Sequence, residues 1–215
     1  MQLVQWLSVV VAAVLSAGCA LPWTAHFGEP VWTDDGMYLV TGRPGALFLT
    51  PSPQDLSRYR GVILEEIQIS TKRLSRELKP SEEVRLKNYF TRRLEDVFER
   101  NGWAIVETPG EDVLRVRLAV KDLELQGRRR YHFGSVITDV SNDKITIALE
   151  LRDSVKNDRR LLFGDKRRLP FGTYPGTDSV SIRRVEDAFY YFSIDIQRRL
   201  DQVQRGEFPP PPRPS

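Results

Sequence analysis

Val113-Leu114-Arg115-Val116-Arg117-Leu118-Ala119-Val120-Lys121-Asp122 is the stretch on which the fold turns. Leu114, Val116, Leu118 and Val120 alternate with Arg115, Arg117 and Lys121, the period of a strand with one buried and one wet face. Ile145, Ile147, Leu149 and Leu151 repeat the pattern downstream. Residues 127–142 between them are polar and contain glycine, which suits a flexible hairpin loop or a pair of irregular edge segments. Upstream, Val62, Ile63, Leu64, Ile67 and Ile69 lie within Arg60 to Ser70, an apolar run expected as a central strand. Trp103 to Glu107 reads as a short strand, closed by the turn at Pro109-Gly110. Leu161-Leu162-Phe163 adds another after a turn at Lys156-Asn157-Asp158.

Two segments carry the helical period instead. Pro80-Ser81-Glu82-Glu83 announces the first: Ser81 can cap free amides, and the glutamates sit at the positive end of the helix dipole. Leu86, Phe90, Leu94, Val97 and Phe98 then share one face, and Asn101-Gly102 supplies a left-handed stop. The second runs from Ile182 to Arg205, with Val185, Phe189, Phe192, Ile196, Leu200 and Val203 stepping by three or four, and Gly206 ends it. The order strand, helix, several strands, helix predicts an α+β two-layer sandwich: a mixed, mostly antiparallel sheet of about four to six strands covered by two main helices.

Before Arg60 the chain changes character. Leu3 to Ala17 is an apolar run, shorter than the ~20 residues that span a bilayer and suited to a signal-peptide core. It ends in Leu15-Ser16-Ala17-Gly18-Cys19, small residues followed by a thiol that can carry diacylglycerol, in the manner of a bacterial lipobox. The leucine stands four residues before the cysteine rather than three, and Met1 to Gln5 has no lysine or arginine. An ordinary secretory leader with an incidental cysteine is the competing reading; the chain's only cysteine falling at this spot favours lipidation. Two or three acyl chains of the palmitate class, at ~0.8 kcal/mol per buried methylene, anchor stably. Ala20, in place of the aspartate that resembles an inner-membrane retention signal, points to the periplasmic face of the outer membrane.

The expected organisation is therefore a leader over 1–18, a lipidated and partly packed tether over 19–55, a single domain over 56–206 and a proline-rich tail over 207–215. The tether, with Trp23, Phe27, Trp32 and Tyr38, shows neither helical nor strand periodicity. The tail Phe208-Pro209-Pro210-Pro211-Pro212-Arg213-Pro214-Ser215 is expected to be extended polyproline.

Composition narrows the chemistry. Thirty-two lysines and arginines face 29 acids, for a net charge of +3, and they interleave as in Arg92, Arg93, Glu95, Asp96, Glu99 and Arg100, so nucleic acid is not an expected partner. One cysteine and two histidines leave few soft ligands, and neither metal nor cofactor is expected. His132 with Asp139 resembles an acid/base pair, but no nucleophile in an elbow setting accompanies it, and an exposed residue is the plainer reading. Asp139, Asp143 and Asp153 match no calcium spacing and read as acids at loop ends. Gly42 to Gly45 lacks the lysine and serine or threonine of a phosphate loop.

Asp55-Leu56-Ser57-Arg58-Tyr59-Arg60, Pro109-Gly110-Glu111-Asp112-Val113-Leu114-Arg115-Val116-Arg117 and Glu150-Leu151-Arg152-Asp153-Ser154 together make residues 55–166 resemble the bacterial lipoproteins grouped as domain of unknown function 3313. The resemblance implies envelope localisation and an α+β fold, and no activity comes with it.

Arg128, Arg129 and Arg130 beside Tyr131, His132 and Phe133 remain the most concentrated polar cluster, able to meet phosphates or acidic polymers as well as plain solvent. Arg115 and Arg117 either extend that surface or pair with Glu150 or Asp153 across the sheet. The expected function is a non-enzymatic binding or scaffold module, tethered to membrane through Cys19, that meets an envelope protein or polymer. A hydrolase of cell-envelope material is the competing class, marked by a deep pocket around His132 and carboxylates. A minor-lipid carrier would need an apolar cavity between sheet and helices.

Overall fold

The computed structural model describes residues 32, 36–41, 46–50, 53–72, 75–125, 129–133, 136–140, 143–169 and 179–209. All of them fall in the compact unit that begins at Trp32. Its centre is the strand read first from sequence, β6 (Val113–Glu124), flanked antiparallel by β9 (Lys144–Asp153). Outward from β9 follow β10 (Arg159–Arg168), β2 (Ala46–Leu49) and β1 (Tyr38–Thr41), each antiparallel to its neighbour. On the other side of β6 lie β3 (Gly61–Leu64) and β4 (Gln68–Thr71), both parallel to it, and β5 (Ala104–Ile105) pairs parallel with β3. The mixed α+β class holds, with eight strands rather than four to six.

The added strands have physical causes. β1 and β2 lie inside the stretch read as a tether without strand period. Each is only four residues long, and Leu39-Val40 and Leu47-Phe48-Leu49 offer no alternation to detect. The run Arg60 to Ser70 is not one central strand. Leu64 faces Val116 and Gln68 faces Ala119, four steps on one chain against three on the other, so an extra residue bulges out and Ile67 turns into the core. β4 has only β6 as a partner, and β3 has only the two-residue β5 beyond it. Residues 129–133 and 136–140, read as loop or irregular edges, are regular strands β7 (Arg129–Phe133) and β8 (Val136–Val140) of a separate antiparallel ribbon.

Two helices cover one face of the large sheet. In α1 (Pro80–Arg100) the start comes two residues earlier than a Ser81 cap implies. Pro80 occupies the first helical position, where its missing N–H costs nothing, and the Glu82 carboxylate accepts from the Lys79 amide at 2.9 Å. Gly102, at φ +80°, ends it as expected. α2 (Ser179–Gln204) begins a little before the expected Ile182. The alternation of β6 and β9 sends Leu114, Val116, Leu118, Val120, Ile145, Ile147, Leu149 and Leu151 toward the helices, all essentially unexposed. Phe90 stacks on Phe189 with centroids 4.1 Å apart, and Phe192 joins Phe189 at 5.6 Å and Phe163 of β10 at 5.3 Å. This aromatic seam lies between the sheet and the two helices. The start of the tail docks too: Tyr38 Oη donates to the Phe208 carbonyl at 2.7 Å, and burial pushes the Tyr38 phenol up to about 12.

Candidate anion-binding face and the joint behind it

The residues that alternate with the core positions form the other face of the sheet, which neither helix covers. Register decides what meets there. Arg115 of β6 lies opposite Arg152 of β9, and Arg152 lies opposite Arg159 of β10. Like charges directly opposite one another destabilise a sheet. Here three arginines stand in one row across three strands. The next row sets Arg117 opposite Glu150, followed by Leu162 and Phe48. Farther along, Lys121 and Lys166 flank Thr146.

Among the described residues, Glu65 and Glu150 bind these four arginines. Glu65, from the bulge after β3, accepts Arg117 Nε at 2.6 Å and lies 3.6 Å from Arg115 Nη1. Glu150 accepts Arg152 Nη2 at 3.0 Å and also takes Arg159 Nε. Burial raises the Glu150 pKa, but the bonds from Arg152 and Arg159 outweigh it and hold the carboxyl below its ordinary value. Arg152 Nη1 reaches the Asn157 carbonyl at 3.0 Å, while its Nε is enclosed without a partner. With Lys144 and Arg168 at the far end, eight cations (Arg115, Arg117, Lys121, Lys144, Arg152, Arg159, Lys166, Arg168) share this face with Glu65, Glu124 and Glu150. Among the described residues, this face thus carries more cations than carboxylates.

The family-like segments 55–60, 109–117 and 150–154 meet at the end of that sheet. Asp153, buried, accepts Tyr59 Oη at 2.7 Å and Arg58 Nη2 at 3.2 Å on one oxygen, and the amides of Val155 and Lys156 at 3.0 and 2.8 Å on the other. Burial raises the Asp153 pKa, and these donors with the field of Arg160 bring it below the ordinary carboxylate value. Ser154 Oγ accepts the Gly110 amide at 3.0 Å and donates to the Gly110 carbonyl at 2.8 Å. The amides of Arg60 and Gly61 both donate to the Asp112 carbonyl, at 2.8 and 3.2 Å. The bonds of Arg58, Tyr59, Gly110, Asp112, Asp153 and Ser154 hold the three segments together, so this part of the shared motifs reads as a joint. At the other end of β9, Asp143 binds Arg184 of α2 at 2.8 Å in a buried pair, and Arg184 also reaches the Leu169 carbonyl.

Of the residues singled out from sequence, Arg115 and Arg117 stand together on the open face as expected of wet positions. Their carboxylate is Glu65 and not Asp153, whose side chain turns to the opposite face. Asp143 and Asp153 are not solvated loop-end acids but buried anchors. Arg129, Arg130, Tyr131 and His132 lie on β7, where Arg130 is in register with Asp139 of β8. Cys19, His26, Gly42 to Gly45 and Arg128 lie outside the described residues. Arg152, Arg159 and Glu65 were missed. Arg152 alternates with Leu151 and Asp153 much as Arg115 does with its neighbours, so it was within reach; Arg159 joins the row only through the β9–β10 register. Among the described residues no group of three metal-ligating side chains forms, and no helix is long and apolar enough to cross a membrane.

The chain is similar to a solved structure provisionally described as a neuraminyllactose-binding hemagglutinin homolog from Helicobacter pylori, at 16% identity over 69% of this chain and 86% of that one, with a TM-score of 0.49. It is also similar to a minor lipoprotein from Acinetobacter baumannii, at 14% identity over 70% of this chain and 97% of that one, with a TM-score of 0.38. Nothing of what those proteins bind or do passes to this chain at such identities and scores. Comparison with curated proteins returns no match. The pattern of the family described as protein of unknown function, DUF3313, matches residues 42–196, which takes in β2 through most of α2 and extends past the 55–166 of the motif resemblance on both sides. This chain belongs to that family.

Proposed function

We propose that this protein is a lipid-anchored module of the bacterial envelope that binds, without catalysis, an acidic polymer across its open sheet face. The export signal and Cys19 supply the anchor in this reading, and outer-membrane sorting follows from Ala20. The observation that carries the binding role is the row Arg115, Arg152, Arg159: three guanidinium groups opposed in register on one face of the sheet. A sheet selected only for stability would set opposite charges across those strands. Guanidinium groups present forked donors matched to carboxylate or phosphate oxygens, and a row spaced by the strand separation of ~4.8 Å addresses several such groups along one chain. The Ser154 hydroxyl is committed to Gly110 and the Tyr59 hydroxyl to Asp153, which gives the hydrolase reading no support.

Calorimetry of the full chain with polygalacturonate, a pure carboxylate polymer, tests the reading. Binding at low salt that weakens steeply as salt rises is expected. Arg152→Thr should weaken it by about tenfold or more while unfolding free energy changes by no more than about 0.5 kcal/mol, because the substitution also relieves repulsion within the row. A loss of several kcal/mol of stability with binding unchanged would make the row a structural feature and overturn the proposal.

A further inference from the structure

α2 turns a stripe of unusual composition to solvent. Tyr190, Tyr191 and Ile194 are 43%, 56% and 41% exposed, on a helix whose opposite side, Val185, Phe189, Phe192 and Ile196, is fully buried. Exposed Arg183 lies toward the N-terminal end of the stripe and exposed Asp201 toward its C-terminal end. Eighteen residues separate these two, five full turns, so they sit on one line along the helix about 27 Å apart. Asp201 pairs with Arg205 at 3.0 Å and exposed Arg198 stands beside it, so an antiparallel copy would bring its Arg183 to share Asp201 with Arg205.

We infer that this face of α2 is the interface of a twofold homodimer whose axis passes the helix at Phe192. The antiparallel copy sets Tyr190 against the partner's Ile194 and Arg183 against the partner's Asp201, and each contact occurs twice, as an isologous interface requires. A parallel pairing would press Arg183 on the partner's Arg183, which disfavours that direction. Ile194 and Asp201 also wall an open groove of about 700 Å³, closed on its far side by Arg100 to Gly102 at the end of α1. The partner's Arg183 enters that groove to reach Asp201. Tyrosine at the centre with charge at the rim is the composition that interface cores and rims favour. The sheet face lies on the other layer and stays free, so the dimer is independent of the polymer-binding proposal.

Sedimentation of the full chain in detergent micelles over a concentration series reads the association directly. A monomer–dimer equilibrium is expected, weakened about tenfold by Arg183→Glu or Asp201→Arg alone and restored by the two together. Oxidation of the Tyr190→Cys/Ile194→Cys variant should trap a covalent dimer in high yield. Each single cysteine variant should give little more than the wild-type chain, which controls for Cys19. Unchanged melting curves confirm that these exposed substitutions leave the fold alone. A chain monomeric at every concentration, a double reversal no better than either single one, or equal trapping by the single variants overturns the interface.

Discussion

Asp153 shows how a single residue joins three separated segments. Its carboxylate is buried and takes four donors, from Tyr59, Arg58 and two backbone amides, which is why a group whose pKa burial raises ends below its ordinary value. Its pKa lies below the ordinary value near 3.8, so the unfolded chain binds the proton more readily. The stability it adds is therefore present above about pH 4 and drains away as pH falls through the lower, folded value. Urea unfolding followed between neutral and acid pH should show Asp153→Asn flattening that acid limb. Tyr59→Phe, which removes only the 2.7 Å donor, should cost about 1–3 kcal/mol at neutral pH because it strips a bond from a buried charge. A Tyr59→Phe chain as stable as wild type would mean that Arg58 and the amides suffice, and the joint would lose its central member.

Between elements, the pair Arg184–Asp143 ties the middle layer to the helices: Asp143 precedes β9, and Arg184 sits in the first turns of α2. Arg184→Met removes the cation bonded to buried Asp143 at 2.8 Å, and a loss of about 3–5 kcal/mol in unfolding free energy is expected. The double variant Arg184→Met/Asp143→Leu should recover most of it, since two apolar groups need no compensation; failure to recover would place the cost in packing. Legibility in the sequence follows the same scale. Both helices and the strands β6 and β9 were readable because a long amphipathic period is a local property. β1 and β2 were not, because four-residue apolar strands leave no period to measure, and the β3–β4 bulge was hidden because it exists only relative to β6. The candidate face divides likewise: Arg115 and Arg117 declare a wet side by alternation alone. That Arg152 and Arg159 complete their row, and that Glu65 and not Asp153 balances them, depends on register, which one strand cannot announce.

The described residues of the unit that begins at Trp32 form two layers with different surfaces, a cationic sheet face and a helix face bearing Tyr190, Tyr191 and Ile194. If two copies pair through α2, both sheet faces point outward, and a polymer long enough to touch both is held bivalently, with avidity above either site alone. Such an arrangement gains most when the copies share a membrane, and this gives the Cys19 anchor its weight in the argument. Leu3 to Ala17 is too short to remain as a span of ~20 residues, so attachment in this reading rests on lipid at Cys19 and on nothing else in the leader. Intact mass spectrometry of the protein from a bacterial host should find a mature species beginning at Cys19 with diacylglycerol and further acyl mass. Cys19→Ala should lack that species and leave the membrane fraction, because no other described segment is apolar and long enough to hold it there. A product cut elsewhere and free of lipid would detach the binding face from any membrane, and bivalent capture would then depend on dimer affinity in solution alone.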